Sequence, residues 1–316
     1  MPSYAFFQKK FVPLSEAKLG VMTSSLHYGT AVFEGIRGNW NEKEQQMYIF
    51  RLREHYERML TGCRVVRCDL PYSVDELCDI TMEMVKKCGF KEDIYIRPLA
   101  YRSSESLGVR LYDLECDFLV FAIPWGPYLE VDKARCSISS WRRPEDNVIP
   151  PQVKISGLYV NNAFAKTEAV LNGFDEAIML TPDGHVSEGS GENIFLVKDN
   201  KLVTPAGCCN ILMGITRDTV IKLAKRELNI ETEERLVDRC ELYTADECFL
   251  TGTAAHLTPV AEIDHRKIGN GEIGPVTRRL QQLYFDIIRS NNKQYLDWCT
   301  AVYEKKPGAE KPIKVA

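Results

Sequence analysis

The two segments of this sequence best suited to chemistry contain a lysine and a glutamate. Pro151–Tyr159 holds Lys154 among apolar residues and a glycine, and His185–Phe195 holds Glu188 beside a run of glycines. Glycine lets a backbone approach a ligand closely, and apolar surroundings favour the neutral amine that a nucleophilic lysine needs near neutral pH. Lys154 is therefore a candidate for Schiff-base formation with a carbonyl group. Taken singly, a lysine beside a loop is usually solvated, and a glutamate beside Gly189 can serve only a turn.

Three further positions could supply fixed donors for an anion such as a phosphate. Thr216 follows Gly214 at the predicted start of a helix, where unpaired N–H groups and the helix dipole favour negative charge. Arg51 lies where a predicted strand meets a helix and could offer a bidentate guanidinium. The turn Thr251–Ala254 combines hydroxyls with successive N–H groups of small residues. Each has a simpler explanation, as a helix cap, an exposed arginine and a tight hairpin respectively.

The first half of the chain alternates strand-like runs with amphipathic helices. The predicted elements are the strands Gln46–Phe50, Asp93–Arg97 and Asp117–Ile123 and the helices 52–63 and Val74–Lys87. The cluster Pro124–Tyr128 and the polar loop 142–151 interrupt this pattern, so we predict a domain boundary near residue 125.

The second half begins with a helix and continues with hairpins, and it contains no internal repeat. Asp183-Gly184 and Asp199-Asn200 are strong two-residue turn signals between apolar runs. The other predicted elements are the helix Asn162–Leu171, a helix that begins at Gly214, a strand–turn–strand unit over Leu250–Val260 and a final helix over Gly274–Asn291. The proline-broken tail from Glu304 onward is expected to pack loosely.

The composition predicts an ordinary globular protein and excludes several classes. With 316 residues, 45% of them apolar, the chain exceeds one usual core, so two domains are expected. Forty basic against forty-four acidic residues, without a basic patch, argue against a nucleic-acid partner. The N-terminus does not resemble a signal peptide and no stretch reaches the ~20 apolar residues of a membrane span, so we expect a cytoplasmic protein without membrane contact. Eleven cysteines without a Cys-x-x-Cys pair and five scattered histidines predict no metal site.

Six short motifs are spread over residues 27 to 260. They are His27–Arg37 (HYGTAVFEGIR), Phe50–His55 (FRLREH), Tyr95–Pro98 (YIRP), Val186–Asn193 (VSEGSGEN), Gly214–Arg217 (GITR) and Gly252–Ala255 (GTAA). Together they resemble the class IV aminotransferases, the pyridoxal-phosphate enzymes of fold type IV, and among these most resemble the branched-chain amino acid aminotransferases. The resemblance implies an α/β (α+β) fold like that of D-amino acid aminotransferase. We expect a small α/β domain over 1–124, a linker over 125–135 and a large pseudo-barrel domain over 136–316 that binds the cofactor.

The same resemblance implies how the cofactor, pyridoxal 5'-phosphate, is held. Lys154 would form the Schiff base and carry a proton between the substrate Cα and the cofactor. Tyr159 would bond to the phenolic oxygen of the ring, and Glu188 to its pyridine nitrogen. The remaining cofactor-binding residues would be Leu212 and, for the phosphate, Arg51, the amide of Ile215, Thr216 and Thr253.

The resemblance also implies a substrate pocket. The substrate α-carboxylate would lie against Tyr95 and the amides of Thr253 and Ala254. Apolar walls would come from Phe33, Trp125, Tyr128 and Tyr159 and, from a partner subunit of a homodimer or larger homo-oligomer, from Tyr28, Leu107 and Val109.

Arg97 bears on which substrates this pocket takes. It lies two residues from Tyr95 on the same face of a strand. It could bind the side-chain carboxylate of glutamate and be bypassed by leucine, or it could pair with a structural acid. The polar segment 101–110 leaves the breadth of substrates open.

The predicted reaction is ping-pong transamination in branched-chain amino acid biosynthesis. Leucine, isoleucine or valine would give a branched 2-oxo acid, and 2-oxoglutarate would become L-glutamate. On the same fold, the alternatives are a D-amino acid or (R)-amine transaminase, expected to have other residues in place of Tyr95 and Arg97, and an aminodeoxychorismate lyase, which needs no amino acceptor. A cofactor-binding protein without turnover is the non-enzymatic alternative.

Overall fold

The computed structural model describes residues 3–126 and 131–304, which form two β-sheets with helices packed against them. The elements of 3–126 are β1 (Tyr4–Phe7), β2 (Lys10–Pro13), α1 (Ser24–Tyr28), β3 (Val32–Phe33), β4 (Ile36–Asn41), β5 (Gln46–Phe50), α2 (Leu52–Val65), α3 (Val74–Cys88), β6 (Ile94–Arg102) and β7 (Cys116–Pro124). Those of 131–304 are β8 (Ala134–Arg142), α4 (Tyr159–Leu171), β9 (Glu176–Leu180), β10 (Val186–Gly189), β11 (Asn193–Lys198), β12 (Lys201–Pro205), α5 (Ile215–Leu228), β13 (Thr232–Arg235), α6 (Arg239–Tyr243), β14 (Glu247–Gly252), β15 (His256–Ile263), β16 (Arg266–Lys267), α7 (Pro275–Ile288) and β17 (Cys299–Ala301). Short 3₁₀ turns occupy Leu14–Glu16, Ser156–Leu158, Gly207–Cys209 and Lys293–Trp298. The mixed α/β class predicted from the sequence is confirmed.

The first sheet runs in the order β17-β5-β4-β6-β7-β1-β2, with β3 paired to β6 beside β4. Strand β6 continues through Pro98 to Arg102, five residues beyond the predicted end at Arg97. Proline lacks an N–H, and Pro98 faces the gap between β3, which ends opposite Leu99, and β4, which begins opposite Ile96. Pro98 accepts a bond from the Glu34 amide at this gap through its carbonyl oxygen. A central strand therefore tolerates this proline.

Helices α2 and α3 pack on the first sheet and match their predicted spans closely. Helix α3 begins with a capping box, in which Ser73 and Glu76 satisfy each other's backbone N–H groups. It ends at Gly89, whose φ of 67° is left-handed and favours glycine. The apolar face of α2 includes Leu52, Tyr56, Met59 and Cys63, which are all buried in the core of this half.

The second sheet runs in the order β10-β9-β8-β15-β14-β11-β12-β13, with β16 paired to β15. Strand β8 pairs in parallel with both β9 and β15, whereas β11, β14 and β15 are antiparallel neighbours. Of the two predicted two-residue turns, the one at Asp199-Asn200 is confirmed. Asp199 and Asn200 have φ values of 49° and 58° between β11 and β12, as a type I′ turn requires. The turn at Asp183-Gly184 is longer than predicted, because Thr181 pairs with His185 and leaves the three residues 182–184 between them, of which Gly184 has a positive φ of 95°.

The last strand returns to the first sheet. Cys299–Ala301 pairs with β5, and Phe50 of β5 packs in one apolar cluster with Tyr284 of α7 and with Trp298. The division at residues 124 and 136 stays a prediction. Tyr128 and the residues of the tail from 305 onward lie outside the described residues. No helix in 3–126 or 131–304 is long and apolar enough to cross a membrane.

Candidate active site

Lys154 is held in place by a short backbone pairing between the two halves of the chain. Its carbonyl accepts from the Phe33 amide at 3.1 Å, and the Gly157 amide donates to Gly29 at 2.8 Å. A Cβ on Gly29 would lie 2.9 Å from the Cα of Gly157, so the two backbones meet at van der Waals distance. The glycines noted in the sequence therefore permit the close approach that fixes the lysine segment.

The side chain of Lys154 enters a cleft between the lysine segment, the strand β10 and the start of α5. Its Nζ donates a hydrogen bond to Tyr159 Oη and lies 4.7 Å and 5.0 Å from the ring centroids of Tyr159 and Phe33. The predicted site residues that line the same cleft are Tyr95, Lys154, Tyr159, Glu188, Leu212, Ile215, Thr216, Thr253 and Ala254. Residues up to 159 positions apart in the sequence, from Tyr95 to Ala254, thus share one cavity.

Glu188 lies on β10, where the register with β9 shifts between Val186 and Gly189. It is 5% exposed, and three donors meet its carboxylate: Arg143 Nη2 at 3.0 Å on one oxygen, and Asn193 Nδ2 and the Leu212 amide, each at 3.0 Å, on the other. Burial raises the pKa of Glu188, while Arg143 and the Leu212 amide oppose that rise. Glu188 is therefore a buried acid beside the cleft.

The N-terminus of α5 reaches the same cleft. Gly214 caps the helix without a side-chain bond, and Ile215 and Thr216, both buried, form its first turn. The first backbone N–H groups of a helix have no partners within it, and the helix dipole makes this end positive. This end of the cleft therefore suits an anion.

The arginine beside this helix end is Arg58, which the sequence analysis missed. Its Nε and Nη2 donate at 2.7 Å to the two oxygens of fully buried Glu34, and its Nη1 donates to the Met213 carbonyl at 3.0 Å. A guanidinium has five N–H groups, so one remains on each Nη. His55 also bonds to Glu34 at 2.8 Å. The spacing of His55 and Arg58 on one face of α2 was the signal available in the sequence.

The predicted phosphate ligand Arg51 does not line the cleft. It takes a left-handed conformation with φ of 49° at the start of α2. Its guanidinium bonds to Glu54 at 2.7 Å, Asp218 at 2.6 Å and Thr219 at 3.0 Å. These acids and the hydroxyl satisfy Arg51 locally, so it serves to join α2 to α5.

The turn between β14 and β15 presents Thr253 and Ala254 to the cleft, as predicted. Thr251 Oγ1 is buried there without a hydrogen-bond partner. Buried Arg37, a second residue not predicted, donates to the carbonyls of Trp125 at 2.6 Å, Gly126 at 2.7 Å and Ala254 at 3.3 Å. Arg37 therefore ties this turn to the segment that carries Trp125.

Aromatic rings and Arg97 form a wall that continues from the cleft. Phe33 lies 4.8 Å from the Tyr159 ring, and Trp125 lies 5.3 Å from the Tyr95 ring. The Arg97 guanidinium lies 4.8 Å from the Phe33 centroid and 5.2 Å from that of Tyr95 and bonds to Tyr95 Oη at 3.3 Å. Among the described residues no carboxylate forms an ion pair with Arg97, and its Nε is buried without a partner. The structure therefore does not support the alternative that Arg97 pairs with a structural acid.

The three residues predicted to enter a partner's site do not line the cleft of their own chain. Tyr28 Oη accepts from the Gly108 amide at 2.8 Å, so Tyr28 and the loop of Leu107 and Val109 lie together. Val109 is 91% exposed and Leu107 57%. In the described ranges no group of three or more His, Cys, Asp or Glu side chains could hold a metal ion.

Three comparisons with known proteins agree with one another. Residues 31–263 match the family model of amino-transferase class IV. The chain is 53% identical over 303 residues to a probable branched-chain-amino-acid aminotransferase of Aquifex aeolicus, covering 96% of this chain and 97% of that protein. Its fold is similar to the branched-chain aminotransferase of Thermoproteus uzoniensis with norvaline (TM-score 0.92, 42% identity, 96% and 100% of the two chains). It is equally similar to the PLP-form of the enzyme of Thermobaculum terrenum (TM-score 0.92, 39% identity, 96% and 99%).

Proposed function

This chain belongs to the amino-transferase class IV family, and from that premise we propose that it transfers the amino group of leucine, isoleucine and valine to 2-oxoglutarate. Pyridoxal 5'-phosphate is the cofactor, and L-glutamate and branched 2-oxo acids are the products. The observation that supports this most directly is the convergence of Lys154, Tyr159, Glu188 and the N-terminus of α5 on one cleft.

The residues present fit the cofactor at two points, its phosphate and its ring nitrogen. The helix end with Ile215 and Thr216, together with the two spare N–H groups of Arg58, suits a phosphate. We therefore assign to Arg58 the role that the sequence suggested for Arg51. Glu188 suits a protonated ring nitrogen because its carboxylate is buried and held by three donors.

The cofactor, when bound, supplies an aldehyde that takes up the amino group and a pyridinium ring that withdraws electrons from the substrate Cα. Lys154 Nζ would be the base that accepts the proton of the substrate Cα and carries it to the cofactor. Tyr159 Oη, bonded to that nitrogen, orients it. Glu188 holds the proton at the ring nitrogen, and the dry surroundings of Glu188 and Thr216 strengthen these interactions.

The substrate side of the cleft offers donors to one carboxylate near the turn. Tyr95 Oη and the amides of Thr253 and Ala254 would bind the α-carboxylate, with Thr253 also near the phosphate. Phe33, Trp125 and Tyr159 would surround an aliphatic side chain, and Arg97 would receive the side-chain carboxylate of glutamate or 2-oxoglutarate. This assignment is supported because Arg97 has no carboxylate partner among the described residues and its Nε is buried without a hydrogen bond.

The assembly we propose is a homodimer or larger homo-oligomer in which Tyr28, Leu107 and Val109 complete the partner's pocket. The exposure of Leu107 and Val109 supports it, because apolar side chains in a loop gain stability by burial in an interface. We propose a cytoplasmic location because all eleven cysteines are free thiols, as expected in a reducing compartment.

A spectrophotometric titration of the purified holoenzyme tests the function. L-leucine should bleach the visible band of the bound cofactor, and 2-oxoglutarate should restore it. Lys154→Ala should abolish turnover while Lys201→Ala, which changes an exposed lysine paired with Glu233, should not. Bleaching by D-amino acids or amines alone, or turnover without 2-oxoglutarate, would contradict the proposal.

A further inference from the structure

Asn193, the first residue of β11, lies between the acid of the cleft and the segment that leads into α5. It is 5% exposed. Its Nδ2 donates to Glu188 Oε2 at 3.0 Å and to the Leu212 carbonyl at 2.8 Å. An amide nitrogen has two N–H groups, so both are used and the direction of the side chain is determined.

The oxygen of the same amide lies against the backbone of Gly214. A Cβ on Gly214 would lie 2.0 Å from Asn193 Oδ1 and 3.3 Å from Cγ. The φ of Gly214 is −70°, which any residue adopts. Glycine is therefore required here for space beside Asn193 and not for its backbone conformation.

Glu188 depends on this arrangement. Two of its three donors, Asn193 Nδ2 and the Leu212 amide, act on the same oxygen, and Asn193 also bonds to the carbonyl of Leu212. Loss of the Asn193 side chain would remove one donor from a buried carboxylate and free the Leu212 carbonyl. An acid with fewer donors in dry surroundings is held less firmly and favours its neutral form.

We propose that Asn193 is a positioning residue that holds Glu188 ionised and aimed at the cofactor's ring nitrogen. This inference rests on the role proposed above for Glu188. Asn193 itself is not assigned a contact with the substrate or the reacting atoms. Its effect on the cofactor passes through Glu188.

The test compares two cofactors that differ only at the ring nitrogen. The full chain, freed of cofactor, is titrated with pyridoxal 5'-phosphate and with 1-deazapyridoxal 5'-phosphate, in which a C–H replaces that nitrogen. Asn193→Ala should raise the dissociation constant of the first by about 10- to 100-fold, the effect of one hydrogen bond to a charged group. It should leave that of the deaza analogue within about threefold, since that analogue offers Glu188 no charge.

Three further variants are compared with Asn193→Ala in the same titrations. Asn41→Ala, at an equally buried asparagine that bonds to the Arg289 carbonyl, should change neither constant. Asn193→Asp keeps the volume and replaces the donor by an acceptor, so it should repeat the selective loss even if Asn193→Ala folds poorly. Gly214→Ala displaces the Asn193 amide but also alters the phosphate-binding end of α5, so it should weaken binding of both cofactors, and of pyridoxal 5'-phosphate more than of the deaza analogue.

Glu188→Gln separates this inference from the function it rests on. In one outcome, Glu188→Gln weakens the binding of the nitrogen-containing cofactor alone. If the Asn193 variants then weaken the binding of both cofactors equally, or of neither, Asn193 only lines the cleft and the inference is overturned. If Glu188→Gln also shows no selectivity, the contact between Glu188 and the ring nitrogen is wrong, and the inference fails with it. Selective loss in both sets of variants supports both.

Discussion

Replacing Arg97 by methionine should separate the two kinds of substrate. Methionine keeps the aliphatic length beside Phe33 and Tyr95 but removes the guanidinium, which lies 4.8 Å and 5.2 Å from their rings and has no carboxylate partner among the described residues. A dicarboxylate substrate would then bury its second charge without a partner. Leucine has no second carboxylate, so it needs no cation at position 97.

The size of the effect follows from these contacts. Removing one partner of a buried ion pair costs about 3 to 5 kcal/mol, and the partial exposure of Arg97 places this case near the lower end. About 3 kcal/mol corresponds to a loss of about 100- to 200-fold in kcat/KM for 2-oxoglutarate. We expect kcat/KM for leucine to change by less than about threefold, because only packing is altered.

Steady-state and half-reaction kinetics with each substrate measure this difference. Arg53→Met is the matched control, since Arg53 is an exposed arginine paired with Asp75 and Glu57 and should change neither substrate. An equal loss for leucine and 2-oxoglutarate would show that Arg97 supports the pocket generally. That result would refute the assignment of one pocket to both substrates.

Three further variants test the surroundings of the cofactor. Arg58→Gln should raise the dissociation constant of pyridoxal 5'-phosphate by about 10- to 100-fold, because one charged hydrogen-bonding group is lost, but leave that of unphosphorylated pyridoxal unchanged. Glu34→Ala leaves His55 and Arg58 without their shared carboxylate and should lower the free energy of unfolding in urea by about 3 to 5 kcal/mol. Burial, with Glu176 nearby, raises the pKa of Glu192 to about 8. The folded chain therefore keeps a proton that the unfolded chain releases above about pH 4.3, so stability falls as pH rises across this window, and Glu192→Gln should flatten that fall in urea unfolding curves.

Each of these has a distinct contrary result. Equal weakening of pyridoxal and its phosphate by Arg58→Gln would remove Arg58 from the phosphate site. If Glu34→Ala lowers the free energy of unfolding by less than about 1 kcal/mol, the bonds of Glu34 to His55 and Arg58 stabilise the fold no more than a surface ion pair does. An unchanged slope between about pH 5 and 8 for Glu192→Gln would show that Glu192 titrates alike in both states.

Local pattern alone predicted most of the elements. The apolar spacing of α2, the capping residues of α3 and the Asp199-Asn200 turn act over a few neighbouring residues, so their structure is readable from short segments. The family motifs added the cofactor and the reaction, which the comparisons confirm. The roles of individual site residues stay predictions.

Arg51 and Arg58 show what only the tertiary structure decided. Arg51 lies in the motif Phe50–His55 and Arg58 follows three residues after its end. The choice between them depends on where α2 crosses α5: Arg51 meets Asp218 of that helix, whereas Arg58 meets Glu34 and the end of the cleft. The sequence of α2 indicates which residues share a face of the helix but not which elements that face packs against.

The hydrogen-bond donors around Glu188 were also decided only by the tertiary structure. Arg143 directly follows β8, Asn193 begins β11 and Leu212 lies in the segment before α5, and no local spacing links them. The sequence by itself determined the lysine, its neighbouring tyrosine, the acid and the family to which they belong. The tertiary structure decided which partners surround them, because convergence of distant side chains depends on how strands and helices pack and not on the periodicity within any one of them.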